Sequence, residues 1–399
     1  MRVLYLALDV KLSDPAGDAV HVIEATRALA MQAQVDLVVP TLKGKAQEAP
    51  ALDAMGVRVH SVDTASDAKT AKAIAALARE SASEVIYERR YSPKIGASVS
   101  QTTGLPLVVE VNGLPDVEAS ILGTAPKRSR PEKAVRSLIR KTFYTRASKV
   151  VTVTRGLADA LRDRYGLPPE KLVVVPNAAD TVHFAPRPAE EAKRALGIPE
   201  DSPVVGWVGN LVAWHGLAYL VEAAGTVLTA NPAAVFLIVG EGPERKPLEK
   251  LVRDRGMAES FRFTGSVDHA EVPAYIAAAD ACVVLIDVER YSVQYGFSPL
   301  KLYEYLACGR PVVATRTAGF EVVEEVDCGL LVDPRDPEAV AAALLSLLED
   351  PEREEKGRRA RAVALERFSW KATAGKLLAV MRQVAPEQPE GESTGRRAR

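Results

Sequence analysis

At 399 residues the chain is longer than one hydrophobic core usually fills, so two domains of ordinary size are expected. A composition 47% hydrophobic and 26% charged is that of a folded globular protein and excludes a disordered or fibrous chain. With 51 Lys and Arg against 52 Asp and Glu there is no cationic excess of the kind that phosphate-backbone binding uses, which argues against nucleic acid as a partner.

Met1 leads straight into an apolar run, with no cationic segment or small-residue cleavage site before it, and no apolar run reaches the length of a membrane helix. A cytoplasmic protein is therefore expected. Short β-branched runs at 2–8, 35–39, 58–61, 85–87, 107–111 and 149–153 read as strands, with helices between them such as 20–32 and 70–81. Their apolar continuity implies parallel strands covered on both faces. A strand at 172–175 leads into the Pro176-Asn177 turn and an irregular stretch rich in Pro and Ala to Pro188, which reads as a hinge. A second series follows, with strands near 204–208, 235–239, 261–263, 281–286, 311–314 and 329–332. Helices fall at 217–229, 247–255, 271–279, 300–307 and 337–348. The fold class is thus α/β, with two Rossmann-like domains at 1–185 and 186–367 facing a cleft, where open parallel sheets bind ligands. The polar, aperiodic stretch 387–399 reads as a disordered tail. Cys282, Cys308 and Cys328 are odd in number and widely spaced, which suits small buried residues in a reducing compartment and offers no zinc spacing.

The segment from Tyr295 to Thr315 carries the most chemistry. Ser298-Pro299 starts a helix, Gly309 stops it, and Lys301 and Glu304 share one face. The first amides, from Pro299 and Leu300 onward, carry the positive end of a helix dipole and suit a diphosphate; Lys301 adds a point charge, and Glu304 can accept both hydroxyls of a ribose diol. A surface helix with an i,i+3 ion pair fits the same pattern. In Val208-Gly-Asn-Leu-Val-Ala-Trp-His215, Gly209 and Asn210 leave a strand and His215 stands where it can donate to a phosphate, with Trp214 a packing residue. Gly240 and Gly242 follow one strand and Gly265 and Val267 another, where glycine lets backbone approach a ligand. In the first half, Gly17 opens the helix after strand one, Asp18 suits its N-cap, and His21 reads as a helix-surface residue. Arg89, Glu110 and Asn112 end strands on the cleft side, as acceptor-site candidates or as members of structural ion pairs. Between 127 and 149, nine Lys and Arg face the single acid Glu132, with Val135, Leu138, Ile139 and Phe143 interleaved; this reads as a solvated helix face or as a peripheral contact with an anionic membrane.

Taken in order, these segments resemble the retaining glycosyltransferases of family 4, which have the GT-B fold. The likeness spans nearly the whole chain and is strongest from Val204 to Thr315. It implies transfer of a glycosyl unit from a nucleoside-diphosphate sugar, with His215, Lys301 and Glu304 at the reacting end and no metal or other cofactor. The acceptor, whether saccharide, lipid-linked or small molecule, is expected on residues 1–185, and a helix at 368–386, opening with Phe368-Ser-Trp-Lys371, is expected to return there. The family's Arg and Lys on the diphosphate fall at Asn210 and His215. The first of its two glutamates falls at Gly296 or Tyr295, so that carboxylate is missing. A nucleotide-sugar epimerase and a non-catalytic nucleotide-sugar binding protein are the competing readings.

Overall fold

A computed structural model describes residues 1–13, 17–47, 49–115, 119, 129–287 and 295–386. Asp14, Pro15, Ala16, Lys127, Arg128 and the stretch 387–399 lie outside the described residues.

The first sheet joins β1 (Arg2–Leu6), β2 (Gln34–Pro40), β3 (Val57–Val62), β4 (Val85–Arg89), β5 (Leu107–Val111), β6 (Lys149–Thr152) and β7 (Leu172–Val174) in the order 3-2-1-4-5-6-7. The second joins β8 (Val204–Val208), β9 (Val235–Val239), β10 (Phe261–Gly265), β11 (Ala281–Val284), β12 (Val312–Thr315) and β13 (Gly329–Val332) in the order 10-9-8-11-12-13. Both sheets are parallel, and each has buried side chains on both faces, so four apolar clusters account for the near-continuous Val, Ile and Leu runs. Strand order reverses between β1 and β4 and again between β8 and β11. The crevices at these switch points open at the carboxyl ends of the strands.

Some expected strand ends shift for local reasons. The strand expected over 2–8 stops at Leu6, because a turn closes from Val10 N–H to the Ala7 carbonyl. The run over 281–286 leaves the ladder after Val284, and the Ile286 amide donates instead to Thr315 Oγ1 at 2.8 Å. Pro311 has no N–H to offer, so β12 begins at Val312.

Five helices bear on the site: α1 (Gly17–Ala30), α2 (Arg130–Arg146), α3 (Leu300–Ala307), α4 (Arg353–Arg367) and α5 (Trp370–Arg382). In α3, Leu302, Tyr303, Tyr305 and Leu306 are buried. The helix closes with Gly309 N–H on the Leu306 carbonyl and Arg310 N–H on that of Tyr305, the double bond that a left-handed Gly309 permits. The chain passes between domains twice, and the two passes lie side by side: Ala179 N–H donates to the Phe368 carbonyl at 2.9 Å and Trp370 N–H to that of Ala179 at 3.2 Å. Ser369 then caps α5, whose Trp370, Leu377, Leu378 and Met381 pack into the core of the first domain against α1. No helix among the described residues is long and apolar enough to cross a membrane.

Candidate functional site

The start of α3 sits at the switch point of the second sheet. Tyr305 fixes it there by accepting the Val208 amide on its hydroxyl at 2.7 Å. Pro299 precedes the helix with an extended ψ and no side chain caps the first turn. Ser298 does not act as the cap: its Oγ accepts the Asn177 amide at 2.9 Å and lies 2.7 Å from the Tyr303 hydroxyl. Leu300 turns toward the first domain and packs on its core, with the α-carbon of Gly17 close by.

Lys301 projects from this helix start over the Trp207 ring, Nζ 4.1 Å from the centroid, and its ammonium is buried without a hydrogen-bond partner among the described residues. A side chain on Gly209 would begin 2.6 Å from that Nζ, so glycine there is what admits the lysine. At Gly240 and Gly242 the close approach is to protein and not to an open site. A Cβ on Gly240 would fall 1.9 Å from the Gly209 carbonyl oxygen, and one on Gly242 2.4 Å from that of Leu211. These two glycines let neighbouring loops stack. Gly240 N–H donates to the Gly265 carbonyl, and Val267 packs on the second core.

Burial pushes Lys301 down to about 7, with Glu304 pulling the other way. Burial likewise lifts Glu304 to about 7, opposed by Lys301 and reinforced by Glu24 of α1. Glu24 is itself raised to about 7 by burial and is paired with Arg27, which also meets Asp180 Oδ2 at 2.5 Å. The first domain thus brings a second carboxylate to face the first. His215 departs from expectation. Its Nδ1 lies 2.6 Å from the Asn210 carbonyl oxygen, and burial, followed by the charge of Lys301, pushes the ring down to about 2. A neutral imidazole whose one N–H is held by Asn210 leaves Nε2 as an acceptor only, so it cannot donate to a phosphate in this state. Asn210 acts through its carbonyl, while its side chain is exposed. Trp214 packs between Phe297 and His215.

The position of the missing glutamate has a steric account. Gly296 has φ +72°, and a Cβ there would lie 2.2 Å from the Ala318 carbonyl oxygen. The Tyr295 carbonyl is held by Thr154 Oγ1.

Across the cleft, Arg89 ends β4 and Asn112 follows β5, its Oδ1 buried and unpartnered among the described residues. Glu110 is only 2% exposed. One carboxylate oxygen accepts from Tyr87 at 2.6 Å, while the other lies 2.9 Å from His21 Nε2 and 3.9 Å from Arg89. Burial works to raise this carboxyl, but His21, Arg89 and Tyr87 together carry it down to about 2. Glu110 thus sits in the floor of the cleft in contact with His21, Arg89 and Tyr87. His21, expected on the helix surface, is buried, with its Nε2 turned to this carboxylate. Its Nδ1 meets Asn177 Oδ1 at 2.9 Å, and Asn177 Nδ2 donates to the Ser298 carbonyl at 2.6 Å. A polar chain thus runs from β5 through α1 and the interdomain segment to the start of α3. In sequence His21 shows only as a helix position and Asn177 only as part of a turn, and Trp207 carries no signal.

A family comparison matches "Glycosyltransferase Family 4" over residues 15–183 and "Glycosyl transferases group 1" over 202–350. D-inositol 3-phosphate glycosyltransferase of Thermomonospora curvata is 30% identical over 72% of this chain and 68% of its own. The chain belongs to glycosyltransferase family 4. The namesake enzyme of Acidothermus cellulolyticus is 32% identical over 74% of this chain, and the chain spans 66% of that relative's length. Among solved structures, Anabaena HepE in complex with UDP superposes on this family 4 chain with TM-score 0.75 at 20% identity, covering 96% of this chain and 100% of HepE, which shows the GT-B fold.

Proposed function

We propose that the chain moves a sugar from a nucleoside-diphosphate donor to an acceptor hydroxyl, with retention of anomeric configuration and without a metal ion. The observation that carries this is Lys301: a buried ammonium with no hydrogen-bond partner among the described residues, set beside a helix start that none of them caps with a side chain, suits an anion. In this reading the diphosphate rests on the amides of Leu300 and Lys301, and Glu304, one turn along, takes the ribose diol. HepE has been solved with UDP and with UDP-glucose, which supports a donor of this kind. As the bond from sugar to diphosphate breaks, negative charge grows on the leaving phosphate. Lys301 and the helix amides meet that charge without rearranging. The family's front-face displacement, with the departing phosphate taking the acceptor's proton, accounts for retention with no side-chain nucleophile.

The acceptor lies on the first domain. Asn112 Oδ1 is free to accept from a sugar hydroxyl, and Arg89 stands at the same strand edge. The protein works at an anionic membrane face, for which α2 provides the contact: Val135, Leu138 and Ile139 are 56%, 63% and 47% exposed, alongside Lys133, Arg136 and Lys141. Calorimetry with UDP-glucose and other nucleotide sugars, followed by acceptor-dependent diphosphate release and NMR of the product anomer, tests the reaction. No binding of any nucleotide sugar, or an inverted product, defeats it. Flotation with phosphatidylglycerol vesicles tests the surface: Leu138→Glu with Arg136→Glu should abolish association, and indifference of the unmodified chain to such vesicles removes the membrane from the proposal.

A further inference from the structure

A second polar cavity, of about 600 Å³, opens on the far side of the second sheet. Asp280 and Pro311 stand at its wall just before β11 and β12, so it lies at the amino ends of those strands and away from the cleft. Its other walls are the first interdomain segment at 186–190 and the start of α4.

The charges within it do not balance. Lys193 meets Asp280 Oδ2 at 2.8 Å and Arg353 meets Oδ1 at 3.5 Å, so two cations share one buried carboxylate. Arg361 gives its N–H groups to the carbonyls of Phe184, Ala307 and Thr181, with no carboxylate among the described residues in ion-pair contact. Arg310 donates one Nη to the Arg187 carbonyl at 3.0 Å, while its Nε is buried without a partner among the described residues. No described carboxylate lies within ion-pair distance of Arg187 or Arg310. The unpaired acids of the lining, Glu190 and Glu354, are exposed at its rim. Arg187 stands exposed at the mouth and Arg310 part-buried within, and guanidinium groups with N–H that no described residue accepts are the recognition chemistry of phosphate, whose oxygens match the planar fork. The volume lies within the range of about 300–1,000 Å³ usual for small-molecule sites and exceeds what phosphate alone needs.

We propose that this cavity binds an organic phosphate ester, its phosphoryl group against Arg310 and Arg187 and its sugar or nucleoside body filling the remaining space. Arg187 belongs to the first pass between domains, and α4 leads into the second at 368–370, so an occupant ties the two passes together and bears on how the cleft closes.

The test is calorimetric titration of the full chain with glucose 6-phosphate, uridine 5′-monophosphate and inorganic pyrophosphate, each alone and with UDP-glucose saturating the cleft. At least one ester should bind with the cleft occupied, and which ester binds distinguishes a sugar phosphate from a nucleotide. Arg187→Ala and Arg310→Ala should each weaken it roughly tenfold or more, the loss of a charge-assisted bond, while Lys301→Met leaves it unchanged. Arg187→Ala keeps the fold, since only its backbone carbonyl is used structurally. Binding abolished by UDP-glucose or by Lys301→Met, affinity in both arginine variants unchanged from that of the unmodified chain, or pyrophosphate bound without either ester would each overturn the assignment. If UDP-glucose itself does not bind while Arg187-dependent ester binding persists, only the reading of the cleft falls.

Discussion

Replacing Lys301 by methionine keeps the length and the apolar contact with Trp207 but removes the charge. In the empty cleft Lys301 titrates near 7, far below its ordinary 10.5, because burial opposes its charge. Below pH 7 the folded chain therefore carries a penalty on the order of a few kcal/mol for holding the ammonium. Lys301→Met should raise the melting temperature at pH 6. Donor binding should move the opposite way, weakening at pH 6 by roughly 10- to 100-fold for one lost charge-assisted bond to phosphate. The pH dependence has a defined sign. A bound diphosphate favours the ammonium, so affinity falls by about tenfold per pH unit above about 7, until the pKa of the liganded lysine is reached. UDP-glucose suits the assay better than UDP, because a diphosphate diester has no proton to lose in this window. Calorimetry at pH 8 in buffers of different ionisation enthalpy should show uptake of about one proton on binding. Glu304→Gln removes the other cleft group that titrates near 7 in this helix and should leave the slope in place. An affinity that is flat from pH 6 to 9, or one with the same slope in Lys301→Met, would refute the placement of the diphosphate at α3.

Gly209→Ala adds a methyl 2.6 Å from the Lys301 ammonium at a φ of +145°; displacing the lysine should weaken UDP-glucose by tenfold or more with the fold intact, and unaltered affinity by calorimetry would count against the site. Gly296→Glu, which restores the family's carboxylate in sequence, should lower the melting temperature by several degrees, since left-handed strain alone costs roughly 1–2 kcal/mol and the Ala318 carbonyl blocks the Cβ. A stable, more active variant would show that the turn adapts. Asn177→Asp sets a carboxylate oxygen against the Ser298 carbonyl and should speed hydrogen exchange at Leu300 and Lys301; unchanged exchange there would mean that the interdomain link does not hold the helix.

Much of the fold was legible because its signals are local. Runs such as Val204–Val208 and Val235–Val239 are buried on both sides, and their apolar continuity survives any detail of packing. The start of α3 was legible for the same reason, as proline, glycine and a one-faced helix lie within a dozen residues. What escaped was set by partners remote in sequence. His21 looked like surface, but Glu110, 89 positions on, turns it inward. His215 looked like a phosphate donor, but the nearby carbonyl of Asn210 and the charge of Lys301 leave it neutral. Glycines after strands suggested ligand approach. At Gly240 and Gly242, however, the approaching group is another loop, a distinction no spacing can reveal.

The two domains meet the same problem at their shared crevice. A parallel sheet leaves its polar edge at the carboxyl ends, and each side here holds ionisable groups that burial opposes: Glu110 and Glu24 below, Lys301 and Glu304 above. On the lower side the conflict is resolved within the protein, since His21, Arg89 and Tyr87 compensate Glu110. On the upper side it is not, since the Lys301 ammonium lies on an aromatic face with no hydrogen-bond acceptor among the described residues. The polar chain through Asn177 joins the settled side to the unsettled one and carries the rigidity of the β5 floor to the start of α3. A leaving diphosphate would then meet a charge whose position is already fixed, so its stabilisation costs little rearrangement as the bond breaks.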